Sequence, residues 1–400
     1  NYNRLKKLHQ LIGDLGYSWK SNKKNGGVVD VIEDNLQSKV SEMRKSGLNI
    51  MMSMKQEAKP VSFIEDCAVE LKDLAEYTDG LNKIFDKYNT KGTWYAHASV
   101  GCLHVRPVLN MKLEKDISKM RNIADETSAL VKKFNGSYSG EHGDGIVRSE
   151  FNEVMFGNKM INFFKIIKKS FDPYNIFNPG KIIDAPKMDT RELFRYAPSY
   201  SAENINTLLD WSEWPGKAGG FQGAIEMCNN NGLCRKLDGG VMCPSFRVTK
   251  DEKDSTRGRA NSLRLALSGQ LGKDALISDE MIDTMKLCVS CKACKRECPT
   301  GVDMSKMKIE ILYLKAKNYG LDINSKLVAF LPLYAPFASK FSKIMNLRDK
   351  IPGLAKISEI FFGFTAKRPL PEWRSDYFKD NEICLLYTSD AADDSLRVDL

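Results

Sequence analysis

The cysteines carry the clearest chemical pattern in this chain. Cys288, Cys291, Cys294 and Cys298 follow the spacing C-x2-C-x2-C-x3-C, and Pro299 closes the run. Three thiolates at that spacing wrap one cubane iron–sulfur cluster, while the fourth, before the proline, points away to ligate another. A zinc knuckle pairs two C-x2-C elements instead of crowding four cysteines ahead of a Cys-Pro. By the same swap the complementary Cys-Pro is Cys243 followed by Pro244, so cluster one takes Cys288, Cys291, Cys294 and Cys243. A second cluster would take Cys228, Cys234 and Cys298, which is one ligand short, because Asn231 stands where the middle cysteine would fall. That second site is a three-iron cluster, a cubane with a non-cysteine ligand, or absent.

Three of the four histidines fall in two glycine-associated turns, His97 and His104 in HASVGCLH and His142 in GEHGDG. On a continuous strand a seven-residue separation puts two side chains on opposite faces. A break at 99–101 folds the strand back and lets both imidazoles converge. Two imidazoles and the Glu141 carboxylate then make a divalent-metal site with a position left for a substrate oxygen. His142 remains as a proton acceptor. The plainer alternative is a set of satisfied core histidines at strand ends.

The elements that must position these groups divide the chain into parts. Residues 61–63 predict a short strand, and Leu71, Leu74, Leu81, Ile84 and Phe85 lie at the spacing of an amphipathic helix. TWYAHASVGCLHVRPVLN reads as two strands, residues 116–134 as a long helix, and FDPYNIFNPGKII as a Pro/Gly-punctuated end. Residues 1–185 are therefore an α+β domain. Residues 186–220 form a polar, Trp-containing connector. Residues 221–320 form an α-helical ferredoxin-type module in which Ser255 is placed to cap a helix. Residues 321–382 are a basic helical extension broken at Pro332, Pro336 and Pro352. Residues 383–400 change character abruptly and read as a non-native tail, which removes Cys384 from the cysteine arithmetic. Cys67 and Cys102 are left as packing residues.

HASVGCLHVRP, SGEHGDG and FDPYNIFNPGKI resemble the C-terminal substrate, or cap, domain of FAD-linked oxidases of the vanillyl-alcohol-oxidase type. That family includes D-lactate dehydrogenase, the glycolate oxidase flavin subunit and D-2-hydroxyglutarate dehydrogenase. CNNNGLCRK, GVMCPSFR, STRGRAN and CVSCKACKRECP resemble the iron–sulfur module of the large bacterial D-2-hydroxyglutarate dehydrogenase type. The resemblance implies that His97, His104 and Glu141 bind a divalent metal, with zinc expected. It implies that His142 takes the hydroxyl proton of a D-2-hydroxy acid while hydride passes to FAD, and that Asn178 lies near the flavin. The family's usual turn, HAGDGNLH, is replaced here by HASVGCLH. Arg106 stands where an asparagine is common, and it suits capture of a substrate carboxylate. Nothing before residue 60 resembles the N-terminal FAD-binding domain, so the chain reads as a fragment that is inactive alone. Electrons would pass through one or two 4Fe-4S clusters to an external acceptor: a quinone, a flavoprotein or a cytochrome. The alternative is an iron–sulfur electron-transfer subunit with a non-catalytic oxidase-like domain.

The remaining sequence bounds the partners. Lys and Arg number 60 against 51 Asp and Glu, a charge of +9 mixed along the chain, which excludes a nucleic-acid footprint. There is no apolar stretch of about 18 residues to span a membrane and no signal peptide, so the expected location is cytoplasmic, either free or at the inner membrane face. Lys292, Lys295 and Arg296 suit an anionic redox partner, or are simply a solvated face. The apolar segment 327–341 would dock on a membrane surface or partner, or pack as core against the cluster module, and the latter is the expectation.

Overall fold

The structure is a computed structural model that describes residues 2–15, 30–198 and 200–376. Residues 383–400, and Cys384 with them, lie outside the described residues.

Four antiparallel strands form the sheet: β1 (Lys59–Pro60), β2 (Cys67–Ala68), β3 (Gly92–His97) and β4 (Cys102–Leu109). β4 is central. β3 pairs along it from Gly92↔Pro107 to His97↔Cys102, while β1 and β2 cover the two ends of its other edge. A central strand buries both faces, and β4 is buried over nearly its whole length. Its alternation separates two environments. Leu103, Val105 and Leu109 enter the hydrophobic core, whereas His104 and Arg106 point the other way, with Tyr95 of β3 directly opposite His104.

The turn between β3 and β4 is one 3-10 turn, Ala98–Val100, ending at Gly101 in the left-handed region (φ 71°). Gly101 is required there twice over, because a Cβ would also lie 1.9 Å from the Val69 carbonyl oxygen. The helices Leu74–Lys87 and Glu114–Lys133 contribute Tyr77, Leu81, Phe85, Ile117, Met120 and Ile123 to the core.

Two local expectations need correcting. Residues 61–63 are not a strand: pairing stops once the Val61 N–H reaches the Pro107 carbonyl. Phe63 and Ile64 then enter the core, and Ser62 turns to Arg106. Leu71 lies in a 3-10 turn ahead of the helix and is exposed. Cys67 and Cys102 pack in the sheet, and burial pushes the Cys67 thiol up to about 12.

Beyond residue 200 the described chain is helical. Trp211, in the connector, is buried against Phe221. The fully buried Glu310 carboxylate accepts hydrogen bonds from the Leu208 and Leu209 N–H groups and from Trp211 Nε1 at 2.7–2.9 Å. Ser255 caps the helix Thr256–Leu267, accepting from the Gly258 N–H at 2.8 Å. Contacts divide the chain between Leu312 and Tyr313, inside the helix Met304–Tyr319. The first unit holds both the sheet and the cysteine module.

The second unit is a set of short helices in which Arg348 ties the Phe364 and Thr365 carbonyls and Ser358 Oγ. Pro336 does not break it, lying inside the helix Leu331–Lys340, whereas Pro332 stands in that helix's first turn and Pro352 lies between the helices Leu347–Lys350 and Leu354–Phe362. Within the second unit the segment 327–341 leaves Leu333 78% and Phe337 66% exposed, while Ala338 and Ser339 are buried. Among the described residues no helix is long and apolar enough to cross a membrane.

Candidate active site and cysteine module

The β3–β4 turn brings His97 and His104 to one face, with ring centroids 5.0 Å apart. Glu141 reaches them from the GEHGDG turn. Its Oε1 lies 2.8 Å from His104 Nε2 and 3.6 Å from His97 Nε2. One ligand atom from each of the three falls within 4.8 Å of the others, which suits a single ion. His104 is 4% exposed, and burial holds its imidazole below the ordinary value in spite of Glu141, which keeps it neutral as a metal ligand must be.

His142 stacks on His104, with centroids 4.9 Å apart and planes 3° from parallel. Its Nε2 faces Glu141 Oε1 at 3.4 Å and its Nδ1 faces Glu65 Oε1 at 3.3 Å. Burial pushes the Glu65 carboxyl up, but Arg106, Ser62 and His142 outweigh it and leave the group below the ordinary carboxylate range. The next residue, Asp66, is fully buried, and its Oδ2 accepts the N–H groups of Glu141 at 2.8 Å and His142 at 2.6 Å. Buried Arg148 pairs with its other oxygen. The Glu65–Asp66 pair thus aims both site residues of the GEHGDG turn. Sequence reading missed it, although two adjacent acids between apolar FI and CAV are themselves a signal of a buried polar role.

Arg106 is buried with Nη2 2.7 Å from Glu65 Oε2 and Nε donating to Ser62 Oγ at 3.0 Å, so its guanidinium is engaged within the protein. Arg44, also missed, is exposed. It donates to Tyr95 OH at 2.6 Å and lies 3.4 Å from His97 Nδ1. Asn178 is exposed with a left-handed backbone (φ 46°), and its Oδ1 accepts from Lys181 Nζ at 3.4 Å. Exposed Phe171, Tyr174, Ile176 and Phe177 precede it. Among the described residues no hydrogen bond or ion pair joins it to the histidine group.

In the cysteine module, Cys243, Cys288, Cys291 and Cys294 line one cavity with Arg259 and Met304. Ser290 and Lys292, between these cysteines, take left-handed backbone conformations that curl the loop around it. Arg259, wholly buried, places Nη1 3.8 Å from Cys243 Sγ. Burial raises the Cys243 thiol, but hydrogen bonds from Ser245, Phe246 and Thr256 and the Arg259 charge bring it below its ordinary value. Burial pushes Cys294 up to about 11. Tetrahedral zinc would draw its sulfurs to roughly 3.8 Å from one another. Among the described residues only the His97, His104 and Glu141 group is gathered tightly enough for one ion. The cavity between the four thiols fits a cluster better. Cys228 and Cys234 are buried, and Cys228 feels Cys298 and Cys234 electrostatically. Lys292, Lys295 and Arg296 are exposed.

Residues 20–182 match the family described as FAD linked oxidases, C-terminal domain, and residues 224–302 match the 4Fe-4S dicluster domain. Both matches agree with the resemblance that the motifs carry, and domains of these two kinds imply FAD and 4Fe-4S as cofactors. It is 30% identical over 360 residues to D-2-hydroxyglutarate dehydrogenase of Pantoea ananatis, covering 81% of this chain and 34% of that protein. It is 30% identical over 365 residues to D-2-hydroxyglutarate dehydrogenase of Escherichia coli, covering 81% and 35%. Likeness to D-lactate dehydrogenase of Archaeoglobus fulgidus is 32% over 125 residues, 31% of this chain and 27% of that protein. The chain spans about a third of the length of the D-2-hydroxyglutarate dehydrogenases it matches.

Proposed function

We propose that this chain works in a flavin-dependent dehydrogenase that oxidises a D-2-hydroxy acid, D-2-hydroxyglutarate or D-lactate, to the 2-oxo acid and passes the electrons to an external acceptor. The observation that carries the reading is the meeting of His97, His104 and Glu141 beside His142 on one face of the sheet. A divalent ion held by the first three, with zinc expected, would polarise the substrate hydroxyl, FAD would accept hydride, and iron–sulfur clusters would carry single electrons.

The chain's own residues supply the rest. His142 takes the hydroxyl proton at Nε2, while ionised Glu65 accepts from Nδ1–H and fixes the tautomer. Arg106 keeps Glu65 charged. Arg44, exposed beside His97, takes the substrate carboxylate in place of Arg106. Asn178 and its apolar neighbours border the flavin. Cys243, Cys288, Cys291 and Cys294 hold the first cluster, and Cys228, Cys234 and Cys298 the second. Exposed Lys292, Lys295 and Arg296 favour an anionic acceptor. The test is the full-length protein, purified anaerobically with FAD and mixed with each D-hydroxy acid. Bleaching of the flavin is the expected result. Absence of bleaching with any of them would leave the alternative, an electron-transfer subunit with a non-catalytic oxidase-like domain.

A further inference from the structure

The dicluster match covers residues 224–302 and so takes in Cys228, Cys234, Cys243, Cys288, Cys291, Cys294 and Cys298. Two cubanes need four protein ligands each. The module therefore falls one thiolate short of its family's pattern, and the structure locates the shortfall. Four of the cysteines line the first cavity. Cys228, Cys234 and Cys298 remain, with Arg195 donating to the Cys228 carbonyl at 2.9 Å and the Arg257 N–H 3.4 Å from Cys234 Sγ.

The loop between Cys228 and Cys234 explains what replaced the fourth sulfur. Asn231 uses its amide on the loop itself: Oδ1 accepts the Leu233 N–H at 2.9 Å and Nδ2 donates to Asn229 Oδ1 at 2.6 Å. It is exposed and committed to a local turn. Asn230 Oδ1 lies 3.7 Å from Cys228 Sγ, steadied by Asn261 Nδ2 at 2.8 Å, and Thr300 Oγ1 lies 3.4 Å from Cys298 Sγ. A neutral amide oxygen is a weak ligand for iron beside soft thiolates. Asn230 and Asn231 are both exposed, so a solvent ion can reach this corner.

We infer that Cys228, Cys234 and Cys298 hold a three-cysteine cluster whose fourth iron is exchangeable. This rests on the iron–sulfur reading of the module and sharpens it: cluster one is a permanent cubane, and the second centre gains or loses one iron. The step balances. Dithionite reduces the oxidised 3Fe–4S cluster, of charge +1, by one electron to the neutral form. That form takes up one Fe2+ to give a 4Fe–4S cluster of charge +2, and a one-electron oxidant such as ferricyanide reverses the sequence by releasing the iron.

The experiment uses the full chain, anaerobically reconstituted with iron and sulfide, analysed for both elements and followed by EPR and Mössbauer spectroscopy. After ferricyanide, a diamagnetic cubane and a half-integer-spin three-iron signal are expected together. Dithionite with an isotopically labelled ferrous salt should remove the three-iron signal and place label in one iron site only. Cys291→Ser should lose the cubane and keep the three-iron signal. Asn231→Cys should abolish iron exchange, and the wild-type spectra decide even if that variant does not fold. Two cubanes without exchange would overturn the inference. So would a single cubane with Cys228, Cys234 and Cys298 all open to alkylation, and in both cases the electron-relay reading would stand. A chain that binds zinc and takes up neither iron nor sulfide would overturn both.

Discussion

His142 meets a carboxylate at each ring nitrogen, and the two have different surroundings. Glu141 is shared with His97 and His104, whereas Glu65 is tied to Arg106. If Glu65 orients the base, Glu65→Gln should lower kcat about ten- to a hundredfold with KM and bound metal little changed. An unaltered kcat and pH–rate profile would show that the contact is structural. His142→Ala should lower kcat by about 10²–10⁴-fold and leave metal content intact. Loss of metal together with turnover would make His142 a ligand. His97, His104, Glu141 and His142 are legible in the sequence because each pair sits within one short turn. Glu65 and Arg44 are not, because they arrive from remote segments through strand pairing and helix placement, which local spacing does not encode.

At the scale of elements, β4 does most of the positioning, with core residues on one face and the site on the other. Its pairing with β3 was readable from the broken alternation around Gly101. The β1 segment was not: Val61 and Phe63 suggest a strand, yet the ladder lies at Lys59–Pro60, and Phe63 is core without being strand. This displacement puts Lys59 in a pocket with Lys112 and Glu226. Burial and Lys112 lower its ammonium to about 8 in spite of Glu226. Between about pH 8 and its ordinary value of 10.5 the folded chain binds fewer protons here than the unfolded chain. Stability contributed by this group therefore rises as pH climbs through that window. Urea unfolding of Lys59→Met should lose the part of the rise that is due to Lys59, and an identical pH slope in both proteins would contradict the burial argument.

At the scale of the whole molecule, the oxidase-like and cysteine-bearing parts were legible because each carries its own motifs, whereas the surroundings of the helical extension were not. Hydrophobicity alone cannot tell a core helix from an exposed one, since the neighbours decide. In the second unit Leu333, Phe337, Ile360 and Phe361 are 66–78% exposed, among Lys326, Lys340, Lys343 and Lys356. Exposed apolar side chains in a lysine-rich stretch of sequence suit the interface of an anionic bilayer, where apolar burial and charge attraction add. The chain should cosediment with phosphatidylglycerol vesicles, bind neutral phosphatidylcholine vesicles far less, and be released by salt. Leu333→Glu with Phe337→Glu should weaken binding by about tenfold or more. A chain that ignores anionic vesicles at low salt would contradict a membrane role for this face and leave it to a protein partner.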